Sequence, residues 1–404
     1  MKVIILIVGF CCVALLPSTI QQNDDKERIE KFKKHKKETD QLKGTLDAIA
    51  LMDEPGFLIN GIFRLSKNGY LGCGGFALTY KGAFEGERLI HNKKEVAMKF
   101  TLPEKKEMAK KEYDMYTYLK AIDNPGVESF GIPTVYYYGP CDKYMLMAIT
   151  LLEPTFNQKY KELTPCDILI VFREFIRTSK YIHSCGVRHN DFKPSNVMFR
   201  RNRLFIIDYN AASKMYVYSN AGTRRYMPRS VPVKEDGPRS VQFKKDGPTQ
   251  IAVRIAGRTA KDDWESFLYS MCKIIDYDLG WFTIKEHQKL YDLKKKTWTT
   301  LENIYKMPDP YSGIFSRFAE YVLNDKRIGF PDYDDFYSYF DRMIPKPDFV
   351  SWLTEANQDI YERNISEIRD PSELVIDEEF YPKLNHTYFT DIYHAYGSSS
   401  ILIN

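Results

Sequence analysis

The sequence predicts an α+β protein with two lobes, in which a small antiparallel β-sheet with one main helix precedes a larger, mostly helical part. Short β-rich runs separated by glycines and charged turns indicate the sheet, at Phe63 to Leu65, Ala77 to Lys81 and Glu95 to Phe100. The segment from Glu104 to Leu119 has a helical composition and supplies the main helix. Apolar side chains recur at helical spacing over Ile168 to Ser184, which indicates that the second half is helical.

Length and composition are those of a globular protein with a full core. The chain has 404 residues, of which 44% are hydrophobic and 28% charged, and these values exclude a chain that is disordered for most of its length. The net charge is only +4, and none of the usual RNA- or DNA-binding motifs is found. We therefore expect no nucleic-acid partner.

The first eighteen residues have the pattern of a secretory signal peptide. One lysine, Lys2, precedes the apolar run from Val3 to Leu16, and small residues follow it. The run is short for a membrane span, which needs roughly 20 residues, although an uncleaved signal-anchor remains an alternative. The pattern predicts a chain of the secretory pathway, in the ER or Golgi lumen or outside the cell, with no transmembrane span after signal removal.

The predicted domain boundaries follow from changes in composition. Residues 19–54 are rich in Lys and Glu, and we predict an exposed helical extension there, whose Lys33–Lys37 cluster either contacts acidic partners or is simply solvated. The main domain is placed at 55–345, with its lobes at about 55–150 and 151–345.

An internal repeat marks an insertion in the second lobe. The segment Ser230–Pro238 is echoed by Ser240–Pro248, and both units end in Asp-Gly-Pro, which favours turns. Two units of this length cannot form a solenoid. We expect a basic, hairpin-like or mobile insertion at 229–260.

Cysteines and glycosylation motifs bear on the secretory prediction. Two sequons, at Asn364 and Asn385, lie in the C-terminal tail 346–404 and would make a luminal protein a glycoprotein. The cysteines beyond the signal form an odd, scattered set that permits at most one or two bridges and predicts neither a disulfide framework nor a zinc site. They are Cys73, Cys141, Cys166, Cys185 and Cys272.

A glycine-rich turn stands between two predicted strands. Gly72, Gly74 and Gly75, followed by Phe76, would let backbone amides approach phosphate oxygens closely. The turn lacks the Gly-Lys-Ser/Thr of a Walker loop. Taken alone, it is equally compatible with an ordinary hairpin.

A lysine and a glutamate follow this turn on different elements. Lys99 lies on a predicted strand and Glu112 on the predicted helix. A lysine held by a carboxylate can bind the α- and β-phosphates of ATP. As an isolated pair, the two residues could also be a surface ion bridge.

The segment from His189 to Phe199 is the most specific one. In it, Asp191 can orient an acceptor hydroxyl, Lys193 can steady the γ-phosphate, and Asn196 can bind a metal ion. Asp208, at the end of an apolar strand, supplies a second metal ligand. The order of these groups predicts phosphoryl transfer from ATP.

Taken together, these motifs resemble the protein kinase superfamily and, within it, the casein kinase I group, whose divergent members are numerous in nematodes. The similarity covers roughly Pro55 to Met343, and both the group and this chain lack an Ala-Pro-Glu motif. The supporting residues are Gly74-Gly75-Phe76, Glu112 with Tyr116, Gly131-Ile132-Pro133-Thr134, Tyr181-Ile182-His183-Ser184, Gly222-Thr223-Arg224-Arg225-Tyr226 and Asp262-Asp263-Trp264-Glu265-Ser266.

The resemblance implies a cofactor, ATP with Mg²⁺ or Mn²⁺, and a protein substrate. It assigns the roles given above to Lys99, Glu112, Asp191, Lys193, Asn196 and Asp208. Ile149 would border the adenine pocket and Leu152 would lie on the hinge. Asp263 resembles the aspartate that anchors the catalytic loop, and His189 a residue that packs and hydrogen-bonds.

Three positions depart from the family pattern. Asn190 replaces an arginine that usually pairs with a phosphorylated activation loop, so its loss removes a switch. Asn210 replaces a glycine, and asparagine tolerates positive φ, so we expect the turn to persist there. Ala77 replaces a phosphate-loop glycine and is expected to stiffen or misplace that loop.

The segment around Arg225 is basic, and Arg225 matches the phosphate-binding arginine of the casein kinase I group. Either it selects acidic or phospho-primed substrates or it is a solvated basic loop. Two functions follow from the sequence: a serine/threonine protein kinase, or a secreted pseudokinase that binds a nucleotide or a partner as a scaffold. The oligomeric state is not predicted.

Overall fold

A computed structural model of the chain describes residues 19–51, 58–74, 77–84, 94–152, 163–200, 203–215, 219–231, 258–297, 302–324, 330–344 and 368. The predicted signal peptide, most of the predicted insertion and both sequons lie outside these residues. The predicted phosphate-loop residues Gly75 and Phe76 lie outside them as well.

The small lobe is a five-stranded antiparallel sheet with one helix inserted between its third and fourth strands. The order in the sheet is β1-β2-β3-β5-β4, as expected when successive strands are joined by hairpins and one helical crossover. This confirms the predicted sheet and its main helix, α2. The elements are β1 Phe63–Cys73, β2 Ala77–Phe84, β3 Lys94–Thr101, α2 Lys106–Tyr118, β4 Val135–Cys141 and β5 Tyr144–Thr150.

The described part of the large lobe is mainly helical. Its helices are α3 Pro165–Ser184, α4 Ala260–Ile274, α5 His287–Thr297, α6 Glu302–Tyr305, α7 Tyr311–Asn324 and α8 Tyr333–Met343. Short strands lie between α3 and α4, namely β6 Val187–Arg188, β7 Val197–Arg200, β8 Arg203–Ile206 and β9 Ser213–Lys214. β6 pairs with β9 and β7 with β8, and these two small ladders carry the loops of the site.

Aromatic side chains form the centre of the large lobe. The Phe175 ring on α3 stacks on Phe267 of α4, and Trp264 stacks on Phe318 of α7. Thr164 caps the N-terminus of α3. Its hydroxyl accepts a hydrogen bond from the Asp167 amide, and the Asp167 carboxylate accepts one from the Thr164 amide, which forms a reciprocal cap. The packed core fixes α3 and α4, which support the loops of the site from below.

The N-terminal helix α1, Thr19–Leu51, is partly buried against the small lobe. Leu42 and Leu46 are only 2% and 3% exposed and join the apolar cluster of the sheet. Asp47 accepts a 2.7 Å hydrogen bond from the Tyr80 hydroxyl of β2. The predicted exposed helix is therefore exposed on one side only, because its last turns form part of the small-lobe core.

Glu128, in the 3₁₀ segment Pro125–Phe130, joins the two lobes. Its Oε1 accepts hydrogen bonds from the hydroxyls of Thr134, Tyr136 and Thr150 at 2.6–2.9 Å. Its Oε2 receives the Arg200 guanidinium of β7 at 2.7 Å. One carboxylate thus links the fourth and fifth strands of the small lobe to the β7–β8 hairpin.

All five cysteines beyond the predicted signal are free thiols. None of the bridges that the sequence permits is formed. Among the described residues, no helix combines the length and the apolar character needed to cross a membrane.

Candidate active site

A lysine–glutamate pair forms the upper wall of the site. The Lys99 ammonium on β3 lies 2.7 Å from Glu112 Oε2 on α2 and 3.6 Å from Asp208 Oδ1 of the large lobe. Glu112 is only 2% exposed. Burial by itself lowers the pKa of Lys99, but the carboxylates of Glu112 and Asp208 outweigh it and raise the pKa above its ordinary value. The ammonium is therefore charged and its position is fixed.

Asp208 follows β8 and points into the cleft between the lobes. Its backbone adopts a left-handed conformation with φ 66°, and its side chain remains one-third exposed. Burial opposes ionisation, yet Lys99 and then Lys193 lower the pKa of this carboxyl below its ordinary value. Asp208 is thus a partly exposed carboxylate, as a metal ligand must be.

The turn at Asn210 persists as expected, but a positive φ at Asn210 is not the reason. The residue with positive φ is Asp208, whereas Asn210 lies in the 3₁₀ turn Tyr209–Ala211. Asn210 Nδ2 donates a 2.5 Å hydrogen bond to Asp208 Oδ1. The amide therefore orients the carboxylate through its side chain and not through an unusual backbone conformation.

The loop after β6 brings the predicted catalytic groups together. Lys193 Nζ lies 2.7 Å from Asp191 Oδ2, and Asn196 Nδ2 donates to the Asp191 carbonyl oxygen at 3.0 Å and to Oδ2 at 3.3 Å. The described bonds of Asn196 use its Nδ2, so its Oδ1 is the atom that would bind a metal ion. Asp191 is 8% exposed and opens on the cleft.

Asp263 of α4 holds the backbone of this loop. Its two carboxylate oxygens accept the amides of His189 and Asn190, each at 2.8 Å, and His183 Nε2 lies 3.1 Å away. The pKa of Asp263 is lowered despite its burial, chiefly by the His183 hydrogen bond. This is the anchoring contact that the resemblance implies for Asp263.

His189 packs inside the loop and does not face the cleft. Its ring lies between Phe192 and Tyr209, with centroids 4.6 and 4.9 Å away. Nδ1 accepts from the Asp191 amide at 3.2 Å, so the proton resides on Nε2, which donates to the Ile207 carbonyl at 3.0 Å. The geometry matches the packing role that the resemblance implies.

Thr223 is a site residue that sequence reasoning did not single out. Its amide donates a 2.6 Å hydrogen bond to Asp191 Oδ1, and its hydroxyl lies 3.1 Å from Lys193 Nζ. The preceding Gly222 has φ 121°, and a Cβ there would collide with the Asn190 carbonyl oxygen. The Gly-Thr order was the available signal, since glycine is needed to bring the Thr223 amide to the carboxylate.

Asn190 ties the catalytic loop to the segment after Asp208. Its Nδ2 donates to the Ala211 carbonyl at 3.0 Å and to the Ser213 hydroxyl at 2.9 Å. These are neutral hydrogen bonds within the protein. The position that carries arginine in the family pattern therefore has partners here without a phosphate group.

The predicted nucleotide-contacting residues lie along one side of the sheet. Ile149 of β5 pairs with Ala97, two residues from Lys99 on the same face, and Leu152 is half-buried just after β5. On β1, Gly72 pairs with Thr79, and a Cβ at Gly72 would meet no atom of the described residues within 4 Å.

A backbone hydrogen bond joins the two described ends of the turn after β1. The Gly74 amide donates to the Ala77 carbonyl oxygen at 2.9 Å. Ala77 itself is buried in β2 opposite Thr101, so its methyl group is accommodated within the sheet. The described ends of the turn are therefore regular, and the described residues leave space above Gly72.

Comparison with known proteins agrees with this geometry. Residues 65–236 match the family model of the protein kinase domain. The fold is that of a protein kinase domain.

The similar proteins include both a casein kinase 1-like protein and pseudokinases. A casein kinase 1-like protein, HD16 of Oryza sativa subsp. japonica, is 27% identical over 295 residues, which cover 69% of this chain and 39% of the rice protein. Pseudokinase OPG198 of vaccinia virus (strain Western Reserve) is 33% identical over 95 residues, 24% of this chain and 32% of the viral protein. The monkeypox virus pseudokinase of that name is 32% identical over 91 residues, 22% of this chain and 31% of its own. The chain thus spans about a third of the length of the pseudokinases that it matches.

The donor set of the kinase domain fits ATP with a divalent metal ion. Asn196 and Asp208 offer oxygen atoms, which Mg²⁺ and Mn²⁺ prefer. Lys99 is held for phosphate, and open space lies beside Gly72. The described groups therefore match the cofactor that a kinase domain uses.

Arg225 lies on the exposed surface of the loop that follows Thr223. Its carbonyl oxygen accepts a 3.1 Å hydrogen bond from Trp281 Nε1, which fixes the backbone at this point. The structure therefore leaves the Arg225 guanidinium on the outer side of the kinase domain, where the predicted role in substrate binding stays a prediction.

Proposed function

We propose that the chain is an active serine/threonine protein kinase that transfers the γ-phosphoryl group of ATP to protein hydroxyls. The observation that supports this best is the connected set of charged groups across the cleft. Lys99 is paired with Glu112 and lies 3.6 Å from Asp208, and Asp191 is bonded to Lys193 on the opposite side. A kinase needs these groups placed before substrate arrives.

Each residue has a distinct task in the proposed reaction. Asp191, oriented by the Thr223 amide through Oδ1, accepts a hydrogen bond from the acceptor hydroxyl and takes its proton through Oδ2. Lys193 and Lys99 bind phosphate oxygens on the two sides of the cleft. Bound Mg²⁺ or Mn²⁺ would neutralise the phosphate charge, with Asn196 and Asp208 as its protein ligands.

The substrate class is part of the proposal. Arg225 and the basic residues around it support acidic or phospho-primed protein substrates, because arginine pairs with carboxylate and phosphate in a bidentate way. We also propose a location in the secretory pathway, on the basis of the apolar run that follows Lys2. A mass shift on glycosidase treatment of the chain from eukaryotic cells checks the location, and an unshifted cytosolic chain contradicts it.

Metal-dependent transfer of labelled phosphate from ATP to casein, an acidic protein, tests the activity. Asp191→Asn removes the proton acceptor and should lower the rate by at least about 10³-fold. Lys99→Met should lower it by a similar factor and should also weaken ATP binding.

Two exposed substitutions serve as controls, Asp276→Asn and Lys110→Met, and both should keep the wild-type rate. Equal labelling by Asp191→Asn and by the wild type would show that a contaminating enzyme, not this chain, transfers the phosphate.

A pseudokinase scaffold is the second candidate. Two observations favour it: the viral pseudokinases among the relatives, and the replacement of family residues by Asn190 and Asn210. Under this alternative, Mg-ATP raises the melting temperature of the wild type, as binding to the folded state must, yet no labelled casein forms over long incubation. Transfer that depends on Asp191 excludes this alternative.

A further inference from the structure

Lys294 of α5 is a buried lysine that the proposed chemistry does not use. Only 2% of its surface is exposed, and its ammonium lies 5.0 and 5.5 Å from the ring centroids of Tyr269 and Trp281. A buried lysine is costly unless its N–H groups have acceptors. Here they have two, and both are backbone carbonyls of the loop that contains Thr223.

These two hydrogen bonds attach the loop to α5. Lys294 Nζ donates to the Arg224 carbonyl at 2.9 Å and to the Met227 carbonyl at 2.7 Å. Trp281 Nε1 donates to the Arg225 carbonyl between them at 3.1 Å. Three carbonyls within four residues are therefore held from the same side.

Among the described residues, packing between this loop and α5 is incomplete. A pocket of about 220 Å³ lies between residues 220–231 and α5. Its walls include Met227, Leu290 and Tyr291, and Lys294 forms part of it. Since a void supplies no dispersion contacts, polar bonds have to fix the loop at this edge.

The same loop determines the orientation of the catalytic carboxylate. The amides of Tyr226 and Met227 donate to the Thr223 carbonyl at 2.8 and 3.1 Å, which makes 223–227 one compact turn. The Thr223 amide in turn donates to Asp191 Oδ1 at 2.6 Å. A shift of the Met227 end therefore changes the position of Thr223 against Asp191.

We infer that Lys294 is a positioning residue for the acceptor side of the reaction, which it serves by holding the 223–227 turn against α5 so that Thr223 orients Asp191. The expected kinetic effects of this inference rest on the proposed kinase function. The expected structural effects rest on the hydrogen bonds alone. Lys294 does not touch the nucleotide side, which is formed by Lys99, Glu112 and Asp208.

The charge state of Lys294 determines which substitutions test its hydrogen bonds. Burial lowers the pKa of Lys294 to about 7, with Glu265 opposing and Arg258 reinforcing this shift. A neutral amine still has two N–H groups, enough for both carbonyls. A test of the inference must therefore remove the N–H donors. Lys294→Met removes them at similar side-chain volume. Lys294→Arg keeps N–H donors, and the adjoining pocket has space for the larger side chain.

Two measurements on the full chain test the inference. Hydrogen–deuterium exchange reports the amides of 223–227, and steady-state kinetics with casein and ATP reports the two substrates separately. In Lys294→Met we expect at least about tenfold faster exchange at 223–227, unchanged exchange in α4, about tenfold lower kcat/KM for casein and an unchanged Kd for Mg-ATP. Lys294→Arg should restore both readouts towards wild type. Lys295→Met, an exposed neighbour on the same helix, is the matched control.

Each result decides a separate question. Wild-type exchange at 223–227 in Lys294→Met overturns the inference, as does an equal loss on the ATP and casein sides, which indicates general destabilisation. If Lys294→Met does not fold, Lys294→Gln, which keeps one donor group, takes its place with the same readouts. If the wild type transfers no phosphate, the proposed function has failed, and the exchange data alone support or overturn the positioning role.

Discussion

At the scale of single residues, the buried histidine beside the catalytic loop makes stability depend on pH. His189 is neutral, with Nδ1 occupied by the Asp191 amide and Nε2 by the Ile207 carbonyl. Burial lowers the pKa of His189 below its ordinary 6.5, although nearby carboxylates oppose the shift. A second proton would break the bond from the Asp191 amide.

The sign of the effect follows from proton binding. Below pH 6.5 the unfolded chain protonates His189 while the folded chain does not, so the free energy of unfolding falls as pH decreases through this range. In His189→Gln the slope between about pH 5 and 6.5 should be smaller than in wild type, as urea unfolding at several pH values would reveal. Identical slopes for wild type and His189→Gln would contradict the neutral, buried tautomer.

The individual site residues could be predicted because each has a chemical signature at a fixed spacing. Asp191, Lys193 and Asn196 lie within six positions, and the short loop cannot separate them. Backbone conformation could not be predicted in the same way. The left-handed residue is Asp208 and not Asn210, and Asn210 contributes a side-chain hydrogen bond to Asp208 instead; spacing carries no information about either feature.

At the scale of elements, α1 supports the strands of the glycine-rich hairpin. Besides its two buried leucines, Lys43 lies 4.7 Å from the centroid of the Tyr70 ring of β1 and pairs with Asp47, which holds Tyr80 of β2. The helix therefore contacts both strands that lead into the turn. Its apolar stripe is narrow and surrounded by Lys and Glu, which is why the sequence indicated a solvated helix.

Detaching α1 should affect both stability and nucleotide binding. Leu46→Asp places an unpaired charge in the apolar cluster and should lower the free energy of unfolding by about 3 kcal/mol. The hairpin then loses its support, and the Kd for Mg-ATP should rise a few-fold. Thermal unfolding and isothermal titration measure the two effects.

Ala48→Asp is the matched control, since Ala48 is exposed two positions further along the same helix. If Leu46→Asp and Ala48→Asp behave alike, α1 is not held by its leucines.

At the scale of the whole molecule, Glu128 links the two lobes through one carboxylate. Its carboxylate accepts hydrogen bonds from three hydroxyls of the small lobe and from one guanidinium of the β7–β8 hairpin. Backbone bonds add to this link, since the Ile206 amide donates to the Gly131 carbonyl at 2.9 Å.

Removing this carboxylate should weaken the junction. Glu128→Ala leaves the hydroxyls and Arg200 without their shared acceptor, so we expect the free energy of unfolding to fall by about 2 kcal/mol. A double-mutant cycle with Arg200→Ala, read by urea unfolding, isolates the inter-lobe bond. Fully additive effects of the two substitutions would show that the carboxylate and the guanidinium do not couple the lobes.

The sequence predicted the helices and strands of the two lobes well, but it did not predict side-chain contacts between residues distant in the chain. Strand and helix periodicities are local, and they located β3, α2 and α3 to within a few residues. Glu128, Thr223 and Lys294 act through contacts distant in sequence, and apart from the glycine before Thr223 their spacing does not reveal such partners.

The burial of Leu42 and Leu46 has a practical consequence for anyone who prepares this protein. The matched domain begins at residue 65, yet the small-lobe core also contains Phe63, Ile59 and the two leucines of α1. A recombinant fragment cut at that boundary would present an uncovered apolar sheet face to solvent, and such faces promote aggregation. A recombinant protein should therefore include α1 and the residues up to the start of the matched domain.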